Sequence, residues 1–318
     1  MARMISDEQI ISEFLKHCEL RDMTQKTIEN YRSAVLIFKD FLHKHKYTIQ
    51  MVDGMANKGI IEDFLQYLRN DRKVSYARVK IYFSALSTLY GFLHYNGYVK
   101  SNIILTVRQM YVRSFKNGYK PQQRRILDLE ELGSFLNGII DIRTKAIVLL
   151  LAKTGLRRGE LVTVDLSDIN WGERSITVKP NTFHKRTFLK TFFDEETENV
   201  LKQWLNRRKT LAKRGETALF VSDFGQRMKR SGIYNNVTRW ATKLGQHDST
   251  SKDYQKKFSV HNLRHEFTSL LQQHGMPRKH LQMLRGDSSQ EVVDLYSHPS
   301  DKELRRSYLA CMPKFGVY

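Results

Sequence analysis

Two histidines and an arginine stand close together in the stretch FSVHNLRHEF, residues 258–267. An imidazole can donate a hydrogen bond or accept a proton, and a guanidinium carries a fixed positive charge. His261 and Arg264 are three residues apart and would share a helix face, so together they could bind an oxyanion such as phosphate. His265 is interpreted as a packed, structural histidine.

A metal site is the first alternative for this cluster. His261 and His265 have a spacing of four, but the sequence has no HExxH arrangement, no cysteine cluster and no clear third ligand nearby. Cys18 and Cys311 are far apart and form no CxxC pair, so we expect free thiols in a reducing compartment. We therefore predict no metal, and no cofactor either, since a phosphate-binding glycine loop is also absent from the sequence.

Two further motifs contain candidate residues. In KTGLRRGELVTV, residues 153–164, Arg157 follows a long apolar run whose core would hold it while its guanidinium grips two phosphate oxygens. Taken alone, a surface arginine is the simpler interpretation of this residue. In LRGDSSQEVVDLY, residues 284–296, Tyr296 follows a polar turn, although a tyrosine is more often a packing residue.

The charge of the chain indicates the class of partner. Its 318 residues include 53 Lys and Arg against 33 Asp and Glu, a net charge of +20, and both the first 120 residues and the remainder carry a basic excess. Such a balance favours a polyanion, and its spread favours nucleic acid lying along both parts of the chain. Because no long apolar run or signal peptide occurs, we expect a soluble, cytoplasmic, nucleoid-associated protein with no membrane contact.

The elements that must position these residues fall into two predicted domains. Residues 1–112 show helical periodicity, with Thr24 as an N-cap and Gly97 as a C-cap. Residues 113–126 lose that periodicity, are rich in basic residues and form the predicted linker. From 127 to 318 we expect helices around two or three short antiparallel strands within residues 167–193, with Asp194 capping the next helix.

Taken together, the motifs resemble the tyrosine recombinase family, the integrases and resolvases that cut and rejoin DNA through a phosphotyrosine. TGLRxxEL, a basic hairpin, HxLRH and a tyrosine about thirty residues later follow in the family's order, and Thr24, Thr27 and Tyr31 match the start of its core-binding helix. The resemblance covers nearly the whole chain. It implies a mainly α fold with a small antiparallel sheet, a helical core-binding domain and an α+β catalytic domain.

The resemblance also implies roles for individual residues. Arg157, Arg264 and His261 match the groups that clamp the scissile phosphate, and Tyr296 matches the nucleophile. Glu160 matches an acidic residue that supports the site. The catalytic hairpin lysine is assigned to Lys179, with Lys185 as the alternative.

One position departs from the family pattern. Nine residues before Tyr296, where the family usually has Gly-His, the chain has Gly286 and Asp287. A carboxylate repels phosphate, so we expect Asp287 to orient Arg285 or a neighbouring arginine instead of donating to DNA. The Arg-Gly-Asp variant resembles archaeal members of the family.

The resemblance implies a site-specific recombinase, most simply an integrase of a mobile element, which acts on double-stranded DNA as a homotetramer and is a monomer when free. The segment 301–318 resembles a tail that docks on a neighbouring protomer, with packing on its own domain as the alternative. Three other functions stay open: a dimer resolvase of the same family, a type IB topoisomerase-like enzyme, and an inactive DNA-binding relative.

Overall fold

The computed structural model describes residues 5–113, 125–179, 190–251, 253–287 and 299–317. The chain forms two compact units, residues Met1–Lys120 and Pro121–Tyr318. The predicted linker at 113–126 lies largely outside the described residues. Each unit has a hydrophobic core of its own.

The first unit is helical in its described part. Its helices are α1 (Asp7–Leu20), α2 (Gln25–Lys44), α3 (Lys58–Gln66), α4 (Tyr76–Tyr95) and α5 (Ile103–Val107). Thr24 caps α2 by accepting a hydrogen bond from the Thr27 backbone N–H, as predicted, and Gly97 follows the end of α4 with a positive φ of 72°. The apolar faces of α2, α3 and α4 meet at Phe38, whose ring contacts those of Phe64 and Tyr90 edge to face in the core.

The second unit combines helices with one small sheet. The helices are α6 (Leu129–Gly138), α7 (Ile142–Thr154), α8 (Arg158–Thr163), α9 (Glu195–Leu211), α10 (Arg230–Lys243), α11 (Val260–Gln273), α12 (Arg278–Arg285) and α13 (Asp301–Cys311). The strands are β1 (Ile169–Asn170), β2 (Ser175–Thr177) and β3 (Lys190–Phe192), paired antiparallel in that order. The predicted fold class is therefore confirmed.

Helix α7 is the centre of the second unit. Every residue from Arg143 to Thr154 is buried except Lys145, which is partly exposed, and the helix contacts α6, α9, α10 and α11. A helix that is apolar on nearly all sides must lie inside the fold. Its C-terminal end, at Thr154 and Gly155, therefore presents the following residues from a rigid base.

The C-terminal segment packs on its own domain in this chain, the alternative given above, and docking on a neighbouring protomer stays a prediction. Leu304 and Tyr308 of α13 are fully buried in the core of the second unit, and Phe315 and Val317 are nearly so. The apolar face of the segment is thus buried against the core of the second unit.

A buried charge cluster anchors this segment. Lys153 is completely buried, and its Nζ lies 2.6 Å from Asp194 Oδ2, 2.8 Å from Glu196 Oε2 and 2.6 Å from the Pro313 carbonyl oxygen. Glu196 in turn accepts hydrogen bonds from the backbone N–H groups of Phe315 and Val317. We call Lys153, Asp194 and Glu196 the lysine cluster.

Two further expectations concern the state of the cysteines and the presence of membrane-spanning helices. Cys18 and Cys311 are free thiols, and both are buried. Among the helices that the structure describes, none combines the length and the apolar character that crossing a bilayer requires.

Candidate active site

Arg157 lies at the turn between α7 and α8, held by Glu160. Its backbone N–H donates to Glu160 Oε2 at 2.7 Å, and its Nη1 donates to Glu160 Oε1 at 3.0 Å. Both carboxylate oxygens are thus used within one turn of chain. These two bonds fix the direction of the Arg157 guanidinium, and its Nη2 group takes no part in the contact with Glu160.

Gly155 connects this turn to α11. It ends α7 in the left-handed conformation, with φ of 61°, and an added Cβ would overlap the Phe267 ring of α11. Only glycine satisfies both conditions at little cost. Its carbonyl oxygen accepts a hydrogen bond from Arg264 Nη1, so the close approach of the two segments positions the second arginine.

Asp287 lies where the two arginines converge. Its Oδ1 is 3.4 Å from Arg157 Nη2 and 3.2 Å from Arg264 Nη2. Its Oδ2 is 3.0 Å from Arg285 Nε, an ion pair that is not aligned as a hydrogen bond. We call Arg157, Glu160, Arg264, Arg285 and Asp287 the arginine cluster.

Arg264 is the most enclosed of the three arginines in the arginine cluster. Its Nη2 also donates to the Arg285 carbonyl oxygen at 2.8 Å. Burial and, next, the neighbouring charge of Arg157 lower the pKa of Arg264 to about 10, although Asp287 opposes the shift. The side chain still carries its charge at neutral pH, and an anion at this position would lower the repulsion between the arginines.

His261 lies near the N-terminus of α11, the helix that also carries Arg264, and is exposed. The interpretation of His265 as a packed residue was wrong, because this side chain is exposed too. The two rings meet edge to face, with centroids 4.6 Å apart. The spacing of four places both histidines on the outer side of α11, whereas the buried side is taken by Leu263 and Phe267.

Lys179, just beyond β2, is held by two carboxylates. Its Nζ forms an ion pair with Asp165 and lies 3.3 Å from Asp168 Oδ2. The hydrogen bond to Asp165 raises the pKa of Lys179, and the same bond holds the pKa of Asp165 well below its ordinary value. Lys185 and Tyr296 lie outside the described residues, so their roles stay predictions.

Sequence reasoning missed two buried polar residues in the same motif. Asn262 donates to the Arg125 carbonyl oxygen at 3.1 Å, and Glu266 accepts a hydrogen bond from the Leu127 N–H at 2.6 Å. Both side chains are fully buried, and together they fasten the beginning of the second unit to α11. The sequence contained a signal for their burial. Residues 262, 266 and 270 are four apart and lie along one side of a helix, and the last of them, Leu270, is apolar.

Burial is the main reason that the pKa of Glu266 is raised to about 8. The Leu127 hydrogen bond and Arg125 oppose the shift, while Glu131 and Asp128 favour it. The Oε2 atom of Glu266 is buried without a hydrogen-bond partner in the part of the chain described. At neutral pH this carboxyl is therefore largely protonated.

The arrangement suits an oxyanion better than a metal. Two guanidinium groups from distant segments converge on one carboxylate oxygen, and their planar forks match the geometry of phosphate. Within residues 5–113, 125–179, 190–251, 253–287 and 299–317, no group of three or more His, Cys, Asp and Glu side chains could hold a metal ion.

Family profiles match both units of the chain. The profile of the Phage integrase family matches residues 125–303, more than half of the chain. A second profile, for the N-terminal SAM-like domain of phage integrases, matches residues 10–96.

Individual relatives are more distant. Tyrosine recombinase XerC of Vibrio cholerae is 29% identical over 192 residues, which span 59% of this chain and 58% of that protein. Tyrosine recombinase XerD of Oceanobacillus iheyensis is 23% identical over 96% of this chain and 99% of its own length.

Solved structures share the fold. The Tn1549 transposon integrase, solved in complex with circular intermediate DNA, superimposes with a TM-score of 0.69 at 19% identity, covering 95% of this chain and 99% of that one. A lambda integrase dimer bound to a core site gives 0.67 at 16% identity, covering 93% and 98%. With the profile match across its second unit, the chain belongs to the phage integrase family of tyrosine recombinases.

Proposed function

We propose that this protein is a site-specific DNA recombinase that cuts and rejoins DNA strands through a covalent phosphotyrosine. The observation that carries the proposal is the convergence of Arg157 and Arg264 on one oxygen of Asp287. Two guanidinium groups aimed at one anion position are what a scissile phosphate requires. Family membership supports the same chemistry.

In the proposed reaction, the Tyr296 oxygen attacks phosphorus and displaces the 5′ oxygen of the next nucleotide. The bond from phosphorus to the 5′ oxygen breaks as the bond to tyrosine forms, which leaves a 3′-phosphotyrosyl link and a 5′ hydroxyl. Tyrosine has an ordinary pKa near 10, so it needs a proton acceptor at neutral pH, for which we propose His261. Arg157 and Arg264 neutralise the charge that grows on the non-bridging oxygens.

The departing 5′ oxygen needs a proton, which we assign to a lysine of the β2–β3 connection. Lys179 is the first candidate, but Asp165 and Asp168 must release its Nζ before it reaches DNA. Lys185 is the alternative. Rejoining is the reverse step with another 5′ hydroxyl, and since the phosphotyrosyl bond keeps the energy of the broken linkage, it requires no nucleotide hydrolysis.

We propose that the chain consists of two functional domains and a linker. Residues 1–112 form the core-binding domain, 113–126 the linker and 127–318 the catalytic domain, with Glu160 as a positioning residue for Arg157. The net charge of +20 supports double-stranded DNA as the partner. Exchange between two duplexes requires four strand cuts, so we propose a homotetramer assembled on paired sites from free monomers and associated with the nucleoid.

The test is capture of covalent protein–DNA adducts from a random duplex library carrying nicks, followed by sequencing of the trapped DNA. A nick beside the cut lets the short strand leave, so the adduct cannot be resealed. Tyr296→Phe should abolish the adduct. Tyr95→Phe removes the hydroxyl of an exposed tyrosine on α4 and should leave adduct formation unchanged.

Adducts on one recurrent sequence, lost only in Tyr296→Phe, would establish both the nucleophile and the target. If the wild type binds DNA in a salt-sensitive manner but forms no adduct, the proposed chemistry is wrong and the chain is an inactive DNA-binding relative.

A further inference from the structure

Asp287 has a carboxylate in the position where the proposed function needs a phosphate. One oxygen lies between Arg157 and Arg264, and the other faces Arg285. A carboxylate and a phosphate offer a guanidinium the same pair of acceptor oxygens. Asp287 therefore contacts the same N–H groups of Arg157 and Arg264 that a bound phosphate would need.

Charge makes this placement favourable in the absence of DNA. The arginine cluster holds three guanidinium groups against two carboxylates, and Glu160 is committed to Arg157. Without Asp287, three like charges would face one another with little compensation. One surplus positive charge remains even with Asp287 in place, so the cluster still attracts an anion.

The two carboxylates of the cluster are held differently. Glu160 has a side chain that is 9% exposed and contacts Arg157 at 2.7 Å and 3.0 Å. Asp287 is 32% exposed and approaches Arg157 and Arg264 at 3.4 Å and 3.2 Å. Asp287 also pairs with Arg285 at 3.0 Å, but its longer distances to Arg157 and Arg264 and its access to solvent make it the more easily displaced ligand of those two arginines.

The backbone of Asp287 stays fixed while its side chain can turn. Gly286 ends α12 in the left-handed conformation, and the Asp287 N–H donates to the Gln282 carbonyl oxygen at 3.1 Å. Rotation about the Cα–Cβ bond would carry the carboxylate away from the arginines without breaking this backbone hydrogen bond.

We propose that Asp287 is an internal substitute for phosphate, which occupies the space between Arg157 and Arg264 until a phosphate displaces it. This inference rests on the proposed function for the identity of the incoming group. Asp287 is then a competitor of the substrate and a stabiliser of the free protein. Removing its charge must change these two properties in opposite directions.

The experiment measures thermal unfolding of the full-length chain against increasing inorganic phosphate, with chloride keeping the ionic strength constant. In chloride alone, Asp287→Asn should unfold at a lower temperature than the wild type, because the repulsion among the arginines is less compensated. Its dissociation constant for phosphate should be at least about threefold lower, since the competitor has lost its charge. Asp287→Ser gives the same comparison if the asparagine variant folds poorly.

Two controls locate the effect. Asp223→Asn makes the same charge change at an exposed carboxylate paired with Arg143, at the opposite end of α7, and should leave phosphate binding unchanged. Arg157→Ala should abolish the binding. Equal or weaker phosphate binding by both Asp287 variants, or no measurable binding by any protein in the series, overturns the inference.

This test does not involve Tyr296, so it is separate from the adduct experiment. A chain that forms no adduct, and whose Asp287→Asn variant binds phosphate more tightly, would retain the internal competitor and refute the proposed cleavage chemistry.

Discussion

Two charge clusters at the C-terminal end of α7 are built from similar groups and differ in balance. In the lysine cluster, one fully buried cation contacts two carboxylates and a carbonyl oxygen. In the arginine cluster, three cations share two carboxylates, and Asp287 is partly open to solvent. The lysine cluster has no excess positive charge to offer a ligand, whereas the arginine cluster has one excess positive charge.

The difference in charge balance separates a structural ion cluster from the proposed phosphate site in the same fold. A buried cation surrounded by protein acceptors stabilises the chain, and removing it leaves buried charges unpaired. A cluster with excess like charge is held together by the surrounding fold, and it gains when an outside anion arrives. Stability should therefore depend on Lys153, and activity on Arg157.

The largest effect is expected for Lys153→Met. The change leaves Asp194 and Glu196 without their cation and removes the donor to Pro313, so the free energy of unfolding should fall by about 3–5 kcal/mol. Urea unfolding measures this. Lys145→Met, on the same helix but partly exposed, should cost less than about 0.5 kcal/mol. Similar losses in the two variants would mean that the lysine cluster is not what holds the C-terminal segment.

Arg157→Ala should give the opposite pattern. Covalent adduct formation should slow by about 100-fold or more, because a donor to the developing charge is lost. The free energy of unfolding should change by only about 1 kcal/mol, since Glu160 keeps its bond from the residue 157 N–H and repulsion with Arg264 is relieved. Adduct rates and urea unfolding are measured on the same preparations.

Arg158→Ala is the matched control for that comparison. This neighbour stacks on Tyr234 with its guanidinium 5.6 Å from the ring centroid, and its removal should slow adduct formation by less than tenfold. If Arg157→Ala destabilised the fold as much as Lys153→Met, the distinction between the two clusters would fail.

The smallest effect concerns Glu266, a buried carboxyl group that belongs to neither cluster. Because the folded pKa of Glu266 is about 8 and its ordinary value is 4.5, the folded state holds the extra proton between these values. Stability should then fall as the pH rises through this window, by up to about 1.4 kcal/mol from pH 6 to pH 7.

Glu266→Gln should flatten this slope, as measured by urea unfolding at the two pH values. Glu130→Gln, an exposed residue on α6, makes the same formal charge change and should keep the wild-type slope. An unchanged slope in Glu266→Gln would show that the proton uptake occurs elsewhere.

Local features of the structure could be predicted because they depend on neighbours in sequence. The caps at Thr24 and Asp194 and the small sheet after α8 follow from side-chain types within a few residues. The helix expected to carry His261 and Arg264 is present as α11. These predictions are confirmed.

What could not be predicted depends on partners far away in the chain. Lys153 looks like an ordinary charge at a helix end, yet its partners include Pro313, 160 residues later. The contacts of Asp287 with Arg157 and Arg264 likewise need the finished fold, and the exposure of His265 depends on which side of α11 meets α7. A motif can name the arginines without revealing what occupies the space between them.

The bond from Arg264 to the Gly155 carbonyl also has a consequence for how the protein is made. The two residues are 109 positions apart, so at 5–20 residues per second the ribosome needs on the order of 5–20 s to add the second after the first. Contacts of such separation also form late in folding. A growing chain therefore exposes Arg157 for many seconds before Arg264 is available, and it can complete the proposed phosphate site only when the second unit is nearly finished.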